Sequence, residues 1–264
     1  MRIAVLGLGE AGRLYAQGFA ELGADVSGFD PVAGAPLQSV RVGSSIAAAV
    51  GGADFVVSLV GATESEGVLR EATEGMAQAA VFADLNTGSA AQKERLASIA
   101  AEAGIAFADV AVMAPVPRAG ARTPLLVSGV AASRLADAWA SIGIPVTDVG
   151  SAAGAAAGLK MLRSVFMKGL AALVFEAASA AEMAGARSWM LAQMAGELGP
   201  DGAALIDRLV EGTKAHAPRR EHEMRDARDY LESLSAPRWM TEGTIEWLHA
   251  LAKDPQFPGS QGHP

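Results

Sequence analysis

The sequence predicts an α/β fold in which an N-terminal doubly wound sheet is followed by an all-α C-terminal domain, the two joined by a long helix. Three observations predict it. Short apolar runs alternate with helical spacings from Arg2 to about residue 150, the stretch from Ser151 to about Gly185 holds apolar residues at three-and-four spacing, and only helical patterns come after it. The expected divisions are 1–150 for the sheet domain, 151–254 for the helical domain and 255–264 for a disordered Gly-, Pro- and polar-rich tail.

The first strand, Arg2 to Leu6, runs into Gly7-Leu8-Gly9-Glu10-Ala11-Gly12, after which Leu14, Phe19 and Leu22 fall at helical spacing. Strand, glycine turn and helix form the context of a dinucleotide fingerprint. The first glycine permits a tight turn, the second lets backbone approach a pyrophosphate, and the third lets the helix pack on the strand and point its N-terminus at the phosphates. A second strand, Asp25 to Phe29, delivers Asp30 about 20 residues later, the place of a ribose-binding acid. Its carboxylate accepts from ribose hydroxyls and repels a 2′-phosphate, so NAD is the expected cofactor, with NADP the other possibility.

The alternation continues. Asp54 to Val60 is an unbroken apolar run, as in a parallel strand covered on both faces. Gly61 to Glu66 is the loop at its C-terminal end, where open α/β sheets bind ligands, which makes Val60 and Gly61 candidate cofactor contacts. Then follow a helix at Glu66–Met76, a strand at Val81–Asp84, a helix at Ala90–Ala103 and a strand at Ile105–Asp109. Strands at Thr123–Val127 and Val146–Val149 flank a helix at Ala131–Ile142. The loops Leu85-Asn86-Thr87-Gly88-Ser89 and Val112-Met113-Ala114-Pro115-Val116-Pro117 lie on the ligand side, which makes Asn86, Thr87, Met113, Ala114 and Pro115 candidate contacts.

In the long helix Leu159, Leu162, Phe166, Leu170, Leu173, Val174, Ala177 and Ala181 form one apolar face, and Val165, Met167, Ala171 and Phe175 extend it to others. Such a helix is expected to be buried on more than one side, which implies at least a homodimer. Met161, Met167 and Met183 read as core. Against this background Lys160, Ser164 and Lys168 stand at i, i+4 and i+8, a polar stripe whose two ammonium groups call for an anion or a wet cleft. Later helices are expected at Trp189–Leu198, Gly202–Lys214, His216–Leu234 and Pro237–Ala252, with Pro218 and Pro237 limiting where they begin. His216, Arg219, Arg220 and Glu223 share one helical face, and Arg219 and Arg220 are candidate clamps for a substrate carboxylate or phosphate. Arg118 and Arg122 are the alternative clamps.

The totals narrow the function. The formal charge of −8 argues against nucleic acid, and it is uneven: residues 1–150 hold 15 acids and 9 bases (net −6), residues 151–264 hold 14 and 12 (net −2). There is no Cys, hence no disulfide framework, thiolate nucleophile or Cys-bound metal, and no metal is expected. The opening MRIAVLGLG goes directly into a strand pattern without the features of a signal peptide, and no stretch reaches ~18 unbroken apolar residues. A cytoplasmic protein without membrane attachment, acting on a small anionic molecule, is the expectation.

A nucleotide-binding Rossmann sheet, a long helix carrying a Lys and an all-helical C-terminal domain together resemble the β-hydroxyacid dehydrogenases, the family of phosphogluconate, 3-hydroxyisobutyrate and tartronate semialdehyde dehydrogenases or reductases. The resemblance rests on Ile3-Ala4-Val5-Leu6-Gly7-Leu8-Gly9, on Phe82-Ala83-Asp84-Leu85-Asn86-Thr87, and on Gly154 six residues before Lys160. It implies that Lys160 is the catalytic acid/base. VMAPVP at Val112–Pro117, TPLLVSG at Thr123–Gly129, KGLAAL at Lys168–Leu173 and RREHEM at Arg219–Met224 are similar to a phosphogluconate-dehydrogenase-like subgroup of unassigned substrate. Three places depart from the family. Met113-Ala114-Pro115 replaces its carboxylate-binding Ser-Gly-Gly, Ser164 stands where it has Asn, and Glu223-Met224 replaces a Lys-Asp pair. The resemblance thus implies the chemistry and leaves the substrate open.

Hydride transfer at a carbinol carbon requires a group that takes the hydroxyl proton as the hydride leaves. Burial and nearby cations such as Lys168 or Arg163 lower a lysine pKa, which suits Lys160 to that task, with Ser164 beside it. Two rival readings stand beside a hydroxy-acid oxidoreductase. One is an imine reductase on the same fold, in which a Lys at this position is atypical; the other is a regulatory protein that senses NAD(H) without turnover.

Overall fold

The computed structural model describes residues 1–32 and 36–254, so the expected tail at 255–264 lies outside the described residues. By internal packing the chain divides into two units, Met1–Lys160 and Met161–Pro264.

In the first unit the elements are β1 (Arg2–Leu6), α1 (Glu10–Glu21), β2 (Asp25–Phe29), β3 (Val40–Val42), α2 (Ile46–Val50), β4 (Phe55–Ser58), α3 (Ser65–Gly75), β5 (Val81–Asp84), α4 (Ala90–Glu102), β6 (Ala106–Val112), β7 (Leu125–Ser128), α5 (Ala132–Ala140) and β8 (Val146–Asp148). They build one sheet in the order β3-β2-β1-β4-β5-β6-β7-β8. Successive strands pass outward from β1 in both directions, so the loops after β1 and β4 flank a topological switch point. One face carries a core of Val5, Tyr15, Phe19, Val57, Leu135 and Trp139; the other carries Leu6, Val56, Leu69, Phe82, Leu96 and Phe107. Central strands covered on both faces explain why their sequences are mostly apolar, with Ser58, Asp84 and Asp109 as buried exceptions.

Two features depart from the sequence reading. β3 and α2, of three and five residues, were not expected, because neither is long enough to display a period. The Ser45 hydroxyl accepts from the Ala48 amide and starts α2. Secondly, β6 and β7 pair antiparallel while every other pairing is parallel. Their connection holds only two short 3-10 turns, Val116–Arg118 and Gly120–Arg122, and a crossover to a parallel strand needs a longer path.

The long helix α6 spans Ala155–Met183, followed by α7 (Arg187–Glu197), α8 (Gly202–Ser233) and α9 (Trp239–Lys253). In the second unit Ala171, Val174, Phe175, Ile206, Leu209 and Leu251 make one core, and Met161, Met224, Ala227, Ile245 and Leu248 a smaller one. α8 is interrupted at His216, whose backbone is non-helical (φ −133°, ψ 22°). Pro218 accounts for the break: it has no N–H to give the carbonyl four residues back. The expected separation into two helices at this point is therefore a kink.

The apolar face read for α6 is corrected in part: Val174 and Ala181 are buried as expected, while other members of that face are not. Leu159, Leu162, Phe166 and Leu173 are 43, 39, 66 and 54% exposed, and Met183, expected in the core, is 85% exposed. The buried side is formed by Met161, Ala171, Ala172, Val174, Phe175, Ala178 and Ala181. Near-uniform hydrophobicity around the rod hid which side faces the chain's own core. Over an 18-residue stretch with mean hydropathy 1.4, one third buried, α6 is long and apolar enough to cross a membrane by composition alone, as are many core helices.

Candidate active site

The glycine turn has the geometry that its sequence demands. Gly7 has φ +87°, and a Cβ there would meet the Leu59 carbonyl oxygen at 2.6 Å. A Cβ on Gly12 would fall 1.9 Å from the Gly7 carbonyl oxygen, so α1 rests directly on the turn. A Cβ on Gly9, the N-cap of α1, would meet nothing within 4 Å among the described residues. The first amides of α1, at Glu10, Ala11 and Gly12, have no carbonyl within the helix to bond, and they carry the positive end of its dipole. This is a backbone cradle, open at Gly9, that fits a pyrophosphate.

Asp30 holds the cradle from the side. Its Oδ2 accepts from the Leu8 amide at 2.7 Å and its Oδ1 from the Val32 amide at 2.8 Å. A carboxylate has about four lone-pair sites, so both oxygens retain capacity for ribose hydroxyls.

Two further loops meet at the same strand ends. The Gly61 amide donates to Asn86 Oδ1 at 2.7 Å, while Asn86 Nδ2 donates to Asp84 and to Ser58 Oγ. Asn86 is buried, Val60 half-buried, and Gly61 and Thr87 are exposed. Lys93 was not singled out in the sequence, yet its buried ammonium bonds Asp84 and the Asn86 carbonyl. The signal available was an acid ending each of two apolar strands, at Asp84 and Asp109.

The start of α6 is fixed to the first unit. Gly154 has φ +88° and a Cβ there would strike the Ala90 carbonyl oxygen at 2.7 Å. The Ala156 and Ala157 amides donate to Ser128 Oγ and Asp109 Oδ2, each at 3.0 Å. Lys160 therefore stands in the second turn of a helix whose first turn is tied to the strand ends, and it is half-buried. The Met113-Ala114-Pro115 segment offers no polar side chain; the Met113 amide donates to the Pro124 carbonyl. Arg118 and Arg122 are exposed, and Arg122 reaches the Gly143 carbonyl.

In the second unit Lys168 Nζ donates to Ser164 Oγ at 2.9 Å and lies 2.8 Å from Glu223 Oε2. Arg219 Nε lies 3.8 Å from the other oxygen of Glu223. Arg220 bonds the hydroxyl of buried Thr213. Burial pushes the Lys168 ammonium below its ordinary range; Glu223 opposes this, while Arg220 and Arg219 add to it. Burial likewise lowers Arg220. The expected anion-binding residues Lys168, Arg219 and Arg220 are thus brought together around Glu223, whereas the kink takes His216 out of their helical phase.

Residues 2–150 match the family model of the NAD binding domain of 6-phosphogluconate dehydrogenase. The chain belongs to this family. Residues 181–251 also match a domain of unknown function, DUF1932. A conserved hypothetical protein from Sinorhizobium meliloti 1021 is 31% identical, over 99% of this chain and 93% of that one, with a TM-score of 0.80. The 3-hydroxyisobutyrate dehydrogenase of Mycobacterium tuberculosis, solved with L-serine, is 21% identical over 96 and 94% of the two chains, with a TM-score of 0.80. An imine reductase variant from Myxococcus stipitatus, in complex with NAD+, is 19% identical over 98 and 95%, with a TM-score of 0.68. At these identities the last two establish the fold. An uncharacterized 28.5 kDa protein of Methanothermus fervidus is 28% identical over 153 residues, and the match spans 58% of this chain and 59% of that relative. Family membership and the fitted cradle agree on an oxidoreductase family with a nicotinamide dinucleotide.

Proposed function

We propose that this chain is an NAD-linked oxidoreductase that interconverts a small anionic hydroxy acid and its oxo form, with Lys160 as general acid/base. The observation that carries the reading is the tethering of α6 to Asp109 and Ser128, which sets Lys160 a turn beyond the strand ends that carry Gly61 and Asn86. Gly7, Leu8, Gly9, Glu10, Ala11 and Gly12 would hold the pyrophosphate, Asp30 the adenosine ribose, and Val60, Gly61, Asn86 and Thr87 the nicotinamide half. The bound nicotinamide supplies a hydride-accepting carbon. Lys160 removes the hydroxyl proton in oxidation and returns it in reduction; Ser164, one turn on, orients the hydroxyl. In the second unit Lys168, Arg219 and Arg220 gather three positive charges around the carboxylate of Glu223, an arrangement suited to an anionic substrate.

The test is a panel of hydroxy acids, sugar acids and their phosphates with NAD+, run beside cyclic imines with NADH, each followed by nicotinamide absorbance. Turnover of hydroxy acids supports the reading; turnover of imines alone replaces it with the imine reductase that the Myxococcus stipitatus fold keeps in view. Binding of NAD(H) without turnover of any acid or imine would favour a sensor.

Asp30 is expected to make NAD bind more tightly than NADP, because its carboxylate, already bound to Leu8 and Val32, has no donor to offer a 2′-phosphate. Calorimetric binding constants for the two nucleotides check this. Equal or tighter NADP binding overturns it.

The same reading makes the protein a cytoplasmic homodimer; a chain without cysteine suits a reducing compartment. Exposed Leu159, Leu162, Phe166 and Leu173 follow one another at steps of three, four and seven, with Gly169 between the last two. That spacing suits the seam of a two-helix contact, which a second copy of α6 would fill by symmetry. Light scattering at micromolar concentration should return twice the chain mass, and Phe166→Asp should halve it. A monomeric wild type would leave the seam without this partner.

A further inference from the structure

Four polar residues lie side by side across the sheet: Ser58, Asp84 and Ser128 are the last residues of β4, β5 and β7, and Asp109 is the middle residue of β6. Ser58 pairs in register with Asp84, Asp84 with Asp109, and Asp109 with Ser128, so the row crosses β4, β5, β6 and β7. All four are buried, and the ammonium of Lys93, 1% exposed, enters the row from α4. Its three protons go to Asp84 Oδ2 at 2.6 Å, the Asp84 carbonyl at 3.0 Å and the Asn86 carbonyl at 2.8 Å. Asp109 Oδ1 lies 3.4 Å away as its second countercharge and is otherwise without a hydrogen bond. Asp109 Oδ2 accepts from the Ala157 amide and from Ser128 Oγ.

Two carboxylates and one ammonium carry a net charge of −1 in a place without solvent. Burying each ion is costly, and an apolar core of the same volume often stabilises a fold as well. What the ions provide is connection. The Asn86 carbonyl hangs on Lys93, the Asn86 side chain holds the Gly61 amide, and the first turn of α6 hangs on Asp109 and Ser128. Three segments separate in sequence thus share one buried anchor.

We infer that Lys93 is a positioning residue: through Asp84 and Asn86 it fixes the two loops that meet the nicotinamide half of the dinucleotide, and through Asp109 the helix turn that precedes Lys160. The inference rests on the cofactor reading above. Among the described residues the glycine cradle and Asp30 share no hydrogen bond with this cluster, so the two halves of the dinucleotide should respond separately.

The experiment is calorimetric titration of the whole protein with NAD+ and with ADP-ribose, which lacks the nicotinamide. Lys93→Met should weaken NAD+ by about tenfold, the usual size of a lost supporting contact, and leave ADP-ribose within about twofold. Equal weakening of both ligands, or unchanged NAD+ affinity, overturns the inference. Should Lys93→Met fail to fold with two unbalanced carboxylates, Lys93→Met/Asp109→Asn restores the net charge of −1. The double variant should fold and keep the split between ligands; NAD+ affinity equal to wild type would reduce Lys93 to charge balance alone. The wild type is titrated first, and if it binds neither ligand the cofactor reading itself falls, an outcome distinct from every result with the variants.

Discussion

Lys160→Met is expected to lower kcat by ~10²–10⁴ or more, the contribution typical of a positioned acid/base, with NAD+ affinity nearly unchanged. The residues that would hold the pyrophosphate and the adenosine ribose are the backbone of Gly7–Gly12 and the carboxylate of Asp30, none of which depends on a side chain of α6. Met matches Lys in length and suits a helix as apolar as α6, so loss of fold is a weak confounder. Lys160 meets only the reacting hydroxyl in this account, so the loss should appear in kcat and kcat/KM alike. Near-normal turnover in the variant would shift the proton transfer to Ser164 or beyond it.

Gly12→Ala is expected to damage both the fold and nucleotide binding. The added Cβ would lie 1.9 Å from the Gly7 carbonyl oxygen and 2.9 Å from its carbon, both backbone atoms of the turn, so no rotamer relieves the contact. Either α1 lifts or the turn opens, and overpacking of this kind costs ~1–3 kcal/mol. Taken from binding, that is about ten- to hundredfold in affinity at ~1.4 kcal/mol per decade. Gly9→Ala separates the two effects. Its Cβ meets no atom of the described residues within 4 Å beyond its own helix and chain neighbours, so it should melt like wild type and lose affinity only, by filling the space where backbone approaches the pyrophosphate. Thermal melts beside NAD+ titrations check both. Gly12→Ala with wild-type melting and binding would mean that the contact of α1 with the turn is not required.

The glycine cradle was legible in the sequence because its demands are steric and local: a positive φ at Gly7 and no room at Gly12 can be met only by the residue written there. The central strands were legible because burial on both faces writes a mostly apolar run. β3 and α2 were too short to write any period. The antiparallel step at β7 depends on how the chain returns to the sheet, and a strand's own residues do not record their direction. The exposed side of α6 was misread because apolar residues fall on more than one side of that helix, and its polar stripe alone does not tell which of those sides meets the chain's own core.

The candidate site divides along the same line. Lys160, Asn86 and Lys168 stood out as polar residues in apolar or loop settings. Lys93 did not, since a Lys in AAQKERLASIAAE looks like any solvated helix position. Its role exists only once the sheet register sets Asp84 beside Asp109, two residues from strands separated by a whole helix. The pairing of Lys168 with Glu223 likewise joins α6 to α8 across more than fifty positions of sequence.

The most direct test of the account follows the hydride itself. A hydroxy acid from the panel that supports turnover is labelled with deuterium on its carbinol carbon, and the reduced nucleotide is weighed by mass spectrometry. Direct transfer predicts one deuterium in the NADH formed by the wild type, and loss of that labelled product with Lys160→Met. NADH without the label, or labelled NADH formed equally fast by the Lys160→Met protein, would contradict the account.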